Sequence, residues 1–376
     1  MAQGAPLGRP TDRRRAILVL EDGTVFRGAG FGAIKKVSGE VVFNTGMVGY
    51  TEGITDPSYK GQILMQTYPL VGNYGVYPEH FESDGPKIEG YAIRELCRDP
   101  SHWSSRMSLD EWLMKSGVPG IEGVDTRALT KKIRVHGVMK GILITYEAEH
   151  EPNIDDLLSE ARNIPDPNKR DLASEVATDK PRRFGEGGKP RVTVIDCGVK
   201  MSIIRSLLRR GVEVTLMPPK SSTDDILGLH SNGVVVSNGP GDPKIGRNAI
   251  KTVKELAETR MPILGICLGN QILALALGGD TYKLKFGHRG QNHPCIDLSS
   301  GRCYITSQNH GFAVDEKSLR GTGLSVSFVN ANDKTIEGLI HRNLPVSAVQ
   351  FHPEASPGPN DTAYLFDNFL TLLNRS

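Results

Sequence analysis

The sequence predicts an α/β protein of two domains, an α+β domain followed by a domain built on a parallel sheet. Short β segments separated by turns fill the first part of the chain, and a stretch rich in Pro and Gly interrupts it at residues 176–190. Beyond that stretch, apolar strands alternate with helical segments, which is typical of a parallel sheet covered by helices. The length agrees, because 376 residues at roughly 150 residues per domain suggest two or three domains.

The predicted N-terminal domain spans residues 16–175 and begins with β structure. The pair Asp22-Gly23 follows an apolar run and marks a hairpin. Later in this domain, Asp110 and Glu111 are acidic residues near the start of a helical pattern. The predicted elements are strands at residues 16–20, 25–26, 41–43 and 62–67 and a helix at residues 108–115.

The predicted domain boundary is the linker at residues 176–190, whose sequence VATDKPRRFGEGGKP contains too little apolar surface to form a core. The C-terminal domain then spans residues 191–376. Its predicted elements are strands at residues 191–196, 212–217 and 233–237 and helices at residues 202–210 and 248–259.

Composition and charge exclude several classes of protein. The chain is 38% hydrophobic and 23% charged with a net charge of +2, so it is a globular protein with no overall field to recruit nucleic acid or an anionic membrane. No segment approaches the ~20 apolar residues that a membrane span requires. We therefore expect a protein in solution, with residues 1–15 as a flexible tail.

The five cysteines are odd in number and lack CxxC spacing, which argues against a disulfide framework and a zinc site and favours the reducing cytoplasm. Cys267 differs from the other four. It stands in GICLGNQ, between a strand-like segment and a helix-forming one. This is a cysteine version of the nucleophile elbow, in which Gly265 and Gly269 remove side chains that would clash at the sharp turn.

We expect the elbow to hold the Cys267 thiol exposed at the carboxyl edge of the sheet, where the positive end of the next helix favours the thiolate. Burial as a small hydrophobic residue is the commoner fate of a free cysteine, but the flanking glycines outweigh it here. For the other cysteines the interpretation stays that of a small hydrophobic residue; they are Cys97, Cys197, Cys295 and Cys303.

A base for this nucleophile is predicted in QFHPE near the C-terminus. Residues two apart in an extended segment point the same way, so Glu354 can orient the imidazole of His352 while its other nitrogen faces the thiol. Seven further histidines have no such setting, and the interpretation of His288 and His310 stays open. The seven are His80, His102, His136, His150, His230, His293 and His341.

The segment SNGPGDP at residues 237–243 follows an apolar strand and can supply an oxyanion hole, because glycine lets the backbone approach a ligand closely. The backbone N–H of Leu268, directly after the nucleophile, is the second expected donor. A plain tight turn would be the preferred interpretation for the GPG sequence alone; the elbow downstream favours the oxyanion hole.

Together SNGPGDP, GICLGNQ, SQNHGF and QFHPE resemble the class I glutamine amidotransferases. The resemblance implies that Cys267 attacks the side-chain amide of glutamine, forms a thioester and releases ammonia. It also implies a flavodoxin-like three-layer α/β/α fold for residues 191–376. The positions that match the family's glutamine-binding groups are Gly239, Gly241, Leu268, Gln271, Asn309, Gly311 and Phe312.

The first half resembles the N-terminal domain of carbamoyl-phosphate synthetase small subunits, in LEDGTVFRG, GEVVFNTGMVGYTEGITDPSYKGQI, YPLVGNYG and GVDTRALTKKIR. This likeness implies an α+β domain with a β-barrel-like core. Ser58, in DPSY, matches the family residue that reaches from this domain into the glutamine pocket. The resemblance thus covers nearly the whole chain.

The resemblance implies a partner, a separate large subunit that makes carbamoyl phosphate from bicarbonate, ammonia and two ATP, in arginine or pyrimidine biosynthesis. We expect a heterodimer or a higher oligomer of it, no cofactor or metal in this chain, and ATP and Mg on the large subunit. Two alternatives are a glutaminase subunit of another synthase, which would lack FNTGMVGYTEGITDPSY, and a non-catalytic regulatory subunit, which would have lost a triad residue.

Overall fold

The computed structural model describes residues 14–373, and the chain forms two compact units. The first contains residues 14–54, 61–79 and 88–165; the second contains residues 55–60, 80–87 and 166–373. The predicted tail lies outside the described residues except for Arg14 and Arg15, which begin the first strand.

The chain passes into the second unit at residue 166, ahead of the predicted boundary at residues 176–190. The reason is local: within that stretch a short strand, Arg182–Phe184, pairs antiparallel with Val214 to Leu216 of the second unit. Just before it, Leu172 is 3% exposed and lies on a helix of the same unit. The segment that was predicted to be a linker thus contributes a strand to the sheet of the second unit.

The first unit is built on a closed barrel, as the resemblance predicted, with strand order β1-β2-β8-β6-β4-β3-β9. Two short strands of this unit, β5 and β7, form a separate parallel sheet. The elements are β1 (Arg14–Leu20), β2 (Val25–Gly32), β3 (Lys36–Asn44), α1 (Tyr50–Thr55), β4 (Gln62–Gln66), β5 (Leu70–Val71), β6 (Gly90–Ala92), β7 (Glu95–Leu96), α2 (Leu109–Lys115), β8 (Pro119–Glu122), α3 (Thr126–His136), β9 (Met139–Glu147) and α4 (Ile154–Asn163).

Local chemistry explains where the predicted elements of this unit begin. The hairpin between β1 and β2 turns at Gly23, whose φ of 94° suits glycine, while Asp22 Oδ1 accepts the N–H of Thr24 at 2.9 Å. Ser108 caps α2 by accepting the N–H of Glu111 at 3.2 Å. Both the hairpin and the helix agree with the sequence prediction.

The second unit contains one ten-stranded sheet of order β10-β12-β11-β13-β14-β19-β18-β17-β15-β16. The elements are α5 (Leu172–Val176), β10 (Arg182–Phe184), β11 (Arg191–Ile195), α6 (Met201–Leu208), β12 (Glu213–Met217), α7 (Thr223–Leu227), β13 (Gly233–Val236), α8 (Arg247–Glu258), β14 (Ile263–Ile266), α9 (Leu268–Ala276), β15 (Thr281–Asp297), β16 (Cys303–Val314), β17 (Leu324–Asn330), β18 (Ile336–His341), β19 (Val346–Val349) and α10 (Tyr364–Leu373).

The parallel part of this sheet, β12-β11-β13-β14-β19, has the flavodoxin-like order 2-1-3-4-5. Alternate residues of each strand point to opposite faces, so Val234 and Val236 pack with α8 and α9 while Val235 packs with α6 and α10. Helices therefore cover both faces, and the three-layer fold predicted from the resemblance is present.

Beyond β19 the sheet continues through antiparallel strands that the sequence analysis did not identify. β18, β17, β15 and β16 extend it, and β15 and β16 form a long hairpin with two register shifts. This extension brings residues 303–314 back toward the parallel core, where His352 N–H donates to Ser307 O at 2.9 Å. Within residues 14–373, no helix combines the length and apolarity needed to cross a membrane.

Candidate active site

The elbow forms at the junction of β14 and α9, as predicted. Cys267 adopts φ 55° and ψ −103°, a conformation that costs free energy for a residue with a side chain. A Cβ at Gly265 would lie 2.6 Å from Gly269 O, and one at Gly269 would lie 2.0 Å from Val236 O. Only glycine fits at either position, so the two glycines permit the strained turn.

The prediction that the elbow holds the thiol exposed is wrong, since Cys267 is 1% exposed. The antiparallel extension, absent from the sequence prediction, explains this: β16 passes over the elbow and Cys267 Sγ lies 3.5 Å from Asn309 O. The next residue, Leu268, lines a neighbouring cavity of about 120 Å³ together with Gly241 and Cys197.

His352 and Glu354 lie directly after β19, the parallel neighbour of β14. Because the carboxyl ends of neighbouring parallel strands share one edge, the elbow and this pair come together. His352 Nδ1 lies 2.6 Å from Glu354 Oε1, and both residues are at most 3% exposed. His352 Nε2 is buried and has no hydrogen-bond partner among the described residues.

The charges around His352 and Glu354 favour the ionised form of both residues. Burial alone would lower the pKa of His352, but the Glu354 carboxylate and Cys267 raise it, and the net shift is upward. Burial alone would raise the pKa of Glu354, but Lys200 and His352 lower it to about 2. Glu354 is therefore a carboxylate at neutral pH, and it favours a charged imidazolium beside the thiol.

Lys200 is a third buried partner that the sequence analysis missed. It is 2% exposed, and its Nζ donates to Glu354 Oε1 at 3.0 Å and to Ala355 O at 2.7 Å. Burial lowers the pKa of Lys200, yet the carboxylates of Glu354, Glu82 and Asp56 raise it further, so the amine is charged. The signal was available: Lys200 follows β11 at the same carboxyl edge of the sheet.

The expected oxyanion loop follows β13 and lies beside the elbow. A Cβ at Gly239 would lie 1.9 Å from Cys197 O and 2.9 Å from the Leu268 side chain, so the backbone there is tightly packed. Gly241 has φ 89°, which favours glycine. The loop is thus fixed next to Leu268, the residue whose N–H is the second expected donor.

Ser58 lies in the second unit, in a short turn whose Asp56 Oδ1 accepts the Ser58 N–H at 2.9 Å. Its hydroxyl accepts Asn238 Nδ2 at 2.9 Å, and both residues are buried. Asn238 Oδ1 in turn accepts the N–H of Lys200 at 2.9 Å. Ser58 is therefore linked to the oxyanion loop, and its own hydroxyl proton can point to another acceptor.

Hydrogen bonds from two other segments hold the residues of β16 that were predicted to bind glutamine. Asn309 Nδ2 donates to Asp56 Oδ2 at 2.7 Å, while Gln271 Nε2 donates to Phe312 O at 2.9 Å and to Gln350 Oε1 at 3.1 Å. Asp56 and Gln350 were not predicted; Asp56 stands two residues before Ser58, and Gln350 opens QFHPE.

Gly311 stands between Asn309 and Phe312 on the same strand, with Arg289 Nη2 3.3 Å from where its Cβ would be. No measured contact joins Gly311 to the elbow among the described residues. The remaining predicted residues lie on the loop, the elbow, the turn at Ser58 and β16, which form one neighbourhood of the second unit.

This arrangement can perform nucleophilic acyl transfer. A thiol interacts with a histidine that is oriented by a carboxylate, and the glycine loop packs against the first residue of the helix that follows the thiol. Polar side chains of the same unit, on Ser58, Asn309 and Gln271, bond to the loop, to Asp56 and to β16.

Comparison with known proteins adds independent findings. Residues 193–372 match the family Glutamine amidotransferase class-I, and residues 18–143 match the family Carbamoyl-phosphate synthase small chain, CPSase domain. The chain is similar to the carbamoyl phosphate synthase small chain of Methanopyrus kandleri, with 53% identity over 95% of this chain and 99% of the relative.

Two further relatives carry the same description. The protein of Archaeoglobus fulgidus is 50% identical over 96% of this chain and 99% of its own length. The protein of Listeria monocytogenes is 49% identical over 96% of this chain and 97% of its own length. The similarity therefore extends through both units.

Proposed function

The chain belongs to the carbamoyl phosphate synthase small chain family and is the glutamine-hydrolysing component of that synthase, and from this premise we propose that Cys267, His352 and Glu354 perform the hydrolysis. The observation that carries the proposal is the buried His352–Glu354 pair, 2.6 Å apart, at the sheet edge where the strained elbow presents Cys267.

In the first half-reaction, the proton of the Cys267 thiol is held by His352, as the imidazolium that Glu354 favours, and Cys267 Sγ attacks the side-chain amide carbon of glutamine. The carbonyl oxygen becomes an oxyanion, which the N–H groups of Leu268 and Gly239 stabilise. His352 then returns the proton to the nitrogen, the C–N bond breaks, and ammonia leaves a thioester on Cys267.

In the second half-reaction, His352 takes a proton from water, and the resulting oxygen attacks the thioester carbon. The C–S bond breaks, glutamate leaves, and the proton returns to Cys267. Glu354 holds the imidazole by its Nδ1 contact throughout. The Lys200 ammonium keeps Glu354 ionised and in place, so Lys200 is a positioning residue.

Glutamine binding is proposed for the groups around the thiol. Ser58 can donate its hydroxyl proton to the substrate because its oxygen already accepts Asn238 Nδ2. Asn309, Gly311, Phe312 and Gln271 would form the wall opposite the loop of Gly239 and Gly241, and their polar contacts fix that wall before substrate arrives.

The ammonia is proposed to pass to a separate large subunit, on which ATP and Mg act and carbamoyl phosphate forms. The small-chain identity implies such a partner, and we propose a heterodimer with no cofactor or metal needed for the glutaminase chemistry. Arginine or pyrimidine biosynthesis would consume the product. The burial of the Cys267 thiol supports one more proposal. Binding of the large subunit shifts the conformational population of this chain toward a state whose active site is open to glutamine.

The test uses this chain combined with its large subunit. Cys267→Ser should abolish glutamine-dependent carbamoyl phosphate synthesis and leave ammonia-dependent synthesis unchanged, whereas Cys303→Ser, at an exposed cysteine, should leave both unchanged. Glutamine-dependent synthesis that survives in Cys267→Ser would remove Cys267 from the reaction.

A further inference from the structure

Three buried side chains from three strands converge in the antiparallel extension. His288 of β15 and His310 of β16 are direct partners across the ladder, and Glu337 lies on β18. Imidazole nitrogens of both histidines and a carboxylate oxygen of Glu337 all lie within 4.8 Å of one another. Exposure is 6% for His288, 5% for His310 and 0% for Glu337.

Two ring nitrogens in this cluster lack hydrogen-bond partners among the described residues, His288 Nδ1 and His310 Nε2. A buried polar atom left unpaired costs free energy, and native proteins pair nearly all of them. One nitrogen of each ring lies within 4.8 Å of a Glu337 oxygen, and for His288 Nδ1 the distance to Glu337 Oε1 is 3.5 Å. One electron-pair acceptor among these atoms would pair both nitrogens.

The contact made by the other nitrogen of each ring indicates which nitrogen carries the proton. His310 Nδ1 lies 2.7 Å from Phe312 O, which can only accept, so the proton is on Nδ1 and the lone pair on Nε2. His288 Nε2 lies 2.8 Å from Asp333 Oδ2, and in the neutral ring with its proton on Nε2 the Nδ1 lone pair lies 3.5 Å from Glu337 Oε1. Metal-binding histidines have this pattern, with the second nitrogen donating to a carbonyl or carboxylate.

We propose that His288 Nδ1, His310 Nε2 and Glu337 form a binding site for one divalent transition-metal ion of the zinc type. Two histidines and one glutamate are a known zinc ligand set. Tetrahedral zinc with ligands at ~2.1 Å holds them about 3.4 Å apart, and His288 Nδ1 already lies 3.5 Å from Glu337 Oε1. The rest of the cluster needs a contraction of about 1.4 Å at most, given the 4.8 Å limit.

The carboxylates of Glu337 and Asp333 match the charge of a divalent ion. Glu337 is also held in place, because its two oxygens accept Asn330 Nδ2 at 3.1 Å and Gln308 Nε2 at 2.8 Å. The ion would join β15, β16 and β18. Neighbouring residues of a strand point to opposite faces, so the side chain of His310 lies on the other side of β16 from that of Asn309. The ion would act on the glutamine site only through the strand, by the contact of His310 Nδ1 with Phe312 O.

A proton is the competing occupant. A protonated His288 directs Nδ1–H at Glu337 Oε1, 3.5 Å away. That state still leaves His310 Nε2 without a hydrogen-bond partner among the described residues. A metal ion pairs both nitrogens at once.

The test measures metal binding by the full chain carrying Cys267→Ser, because the cysteine and His352 could themselves bind zinc. After chelator treatment, Zn²⁺ is titrated in competition with a chromophoric chelator, and Co²⁺ is added to record its absorption spectrum. We expect one Zn²⁺ per chain and a Co²⁺ spectrum of nitrogen and oxygen ligands in tetrahedral geometry. The readout does not use glutamine hydrolysis, so it is independent of the proposed function.

Variants locate the ion. His288→Asn and His310→Asn should abolish tight binding, and Asp333→Asn should weaken it by the ~10–100-fold typical of a residue that orients a ligand. His230→Asn is the matched control, since His230 is exposed with φ 51°, a conformation that Asn tolerates.

Asp333 is 44% exposed, so its variant remains informative if a buried substitution fails to fold. Zn²⁺ binding that is absent from the Cys267→Ser chain, or equal in the Asp333→Asn, His310→Asn and His230→Asn chains, would overturn the proposal.

Discussion

Replacing Lys200 with methionine tests whether a buried cation holds the catalytic pair. The change keeps most of the length of the side chain and removes the ammonium that lies 3.0 Å from Glu354 Oε1. At that distance two unit charges attract by about 5–6 kcal/mol for an effective dielectric constant of ~20. Desolvation of both groups offsets part of this attraction, and removing one partner of a buried pair typically costs about 3–5 kcal/mol.

We therefore expect Lys200→Met to lower the free energy of unfolding by about 3–5 kcal/mol, measured by urea denaturation. Lys251→Met is the control, because Lys251 is 76% exposed and lies 3.8 Å from Glu255 on the same helix. The control should change stability by less than about 0.5 kcal/mol. Catalysis should also fall in Lys200→Met, by less than the ~10²–10⁴-fold expected for loss of the base.

A double-mutant cycle separates the pair from its surroundings. Glu354→Gln removes the charge that Lys200 faces, so the double variant should be more stable than the sum of the two single effects predicts, by about 1–3 kcal/mol. Additive effects, or a Lys200→Met chain as stable as the control, would refute the argument that Lys200 and Glu354 stabilise one another.

The pH dependence has a defined sign. Glu354 has its pKa lowered from 4.5 to about 2 in the folded chain, so its contribution to stability is present above pH 4.5 and is lost as the pH falls toward 2. Lys200 is the largest cause of that lowering. In Lys200→Met the pKa of Glu354 should rise, and the stability difference from the wild type should shrink as the pH falls through this window.

Three further outcomes follow from the site. His352→Ala should reduce glutaminase kcat by at least the ~10²–10⁴-fold of general acid–base catalysis, and Glu354→Ala should reduce it less; the reverse order would exchange their roles. Ser58→Ala should raise the glutamine KM roughly three- to tenfold at nearly constant kcat, and should lower stability by about 1–3 kcal/mol because Asn238 Nδ2 loses its acceptor; an unchanged KM would limit Ser58 to structure. The isolated chain should hydrolyse glutamine slowly and faster with the large subunit, and equal rates would contradict the population shift.

Much of the second unit could be predicted because its signals are local. The elbow at Cys267 shows in its flanking glycines, and the alternation of apolar strands and helices fixes the parallel sheet. His352 and Glu354 follow a strand that is recognisable by itself. These features depend on residues that are close in sequence.

The burial of Cys267 and the contact of Asp56 could not be predicted in the same way, and the place of Lys200 after β11 indicates its sheet edge but not its partner Glu354. Asn309, which lies over the thiol, is placed there by pairing between β15 and β16, whose register shifts have no short sequence signature. Lys200 reaches Glu354 across 154 residues of chain. Long-range pairing of this kind is set by packing of the whole sheet.

The short segment that carries Asp56 and Ser58 belongs to the second unit although it stands early in the chain. The contact of Asp56 with Asn309 spans 253 residues, which at ~5–20 residues per second of synthesis is a delay of roughly 10–50 s before the two can meet. Contacts so distant in sequence also slow folding once the chain is complete. The glutamine site is thus expected to form long after the segment of Asp56 and Ser58 has been made, so that hydrolysis begins only when β16 has left the ribosome.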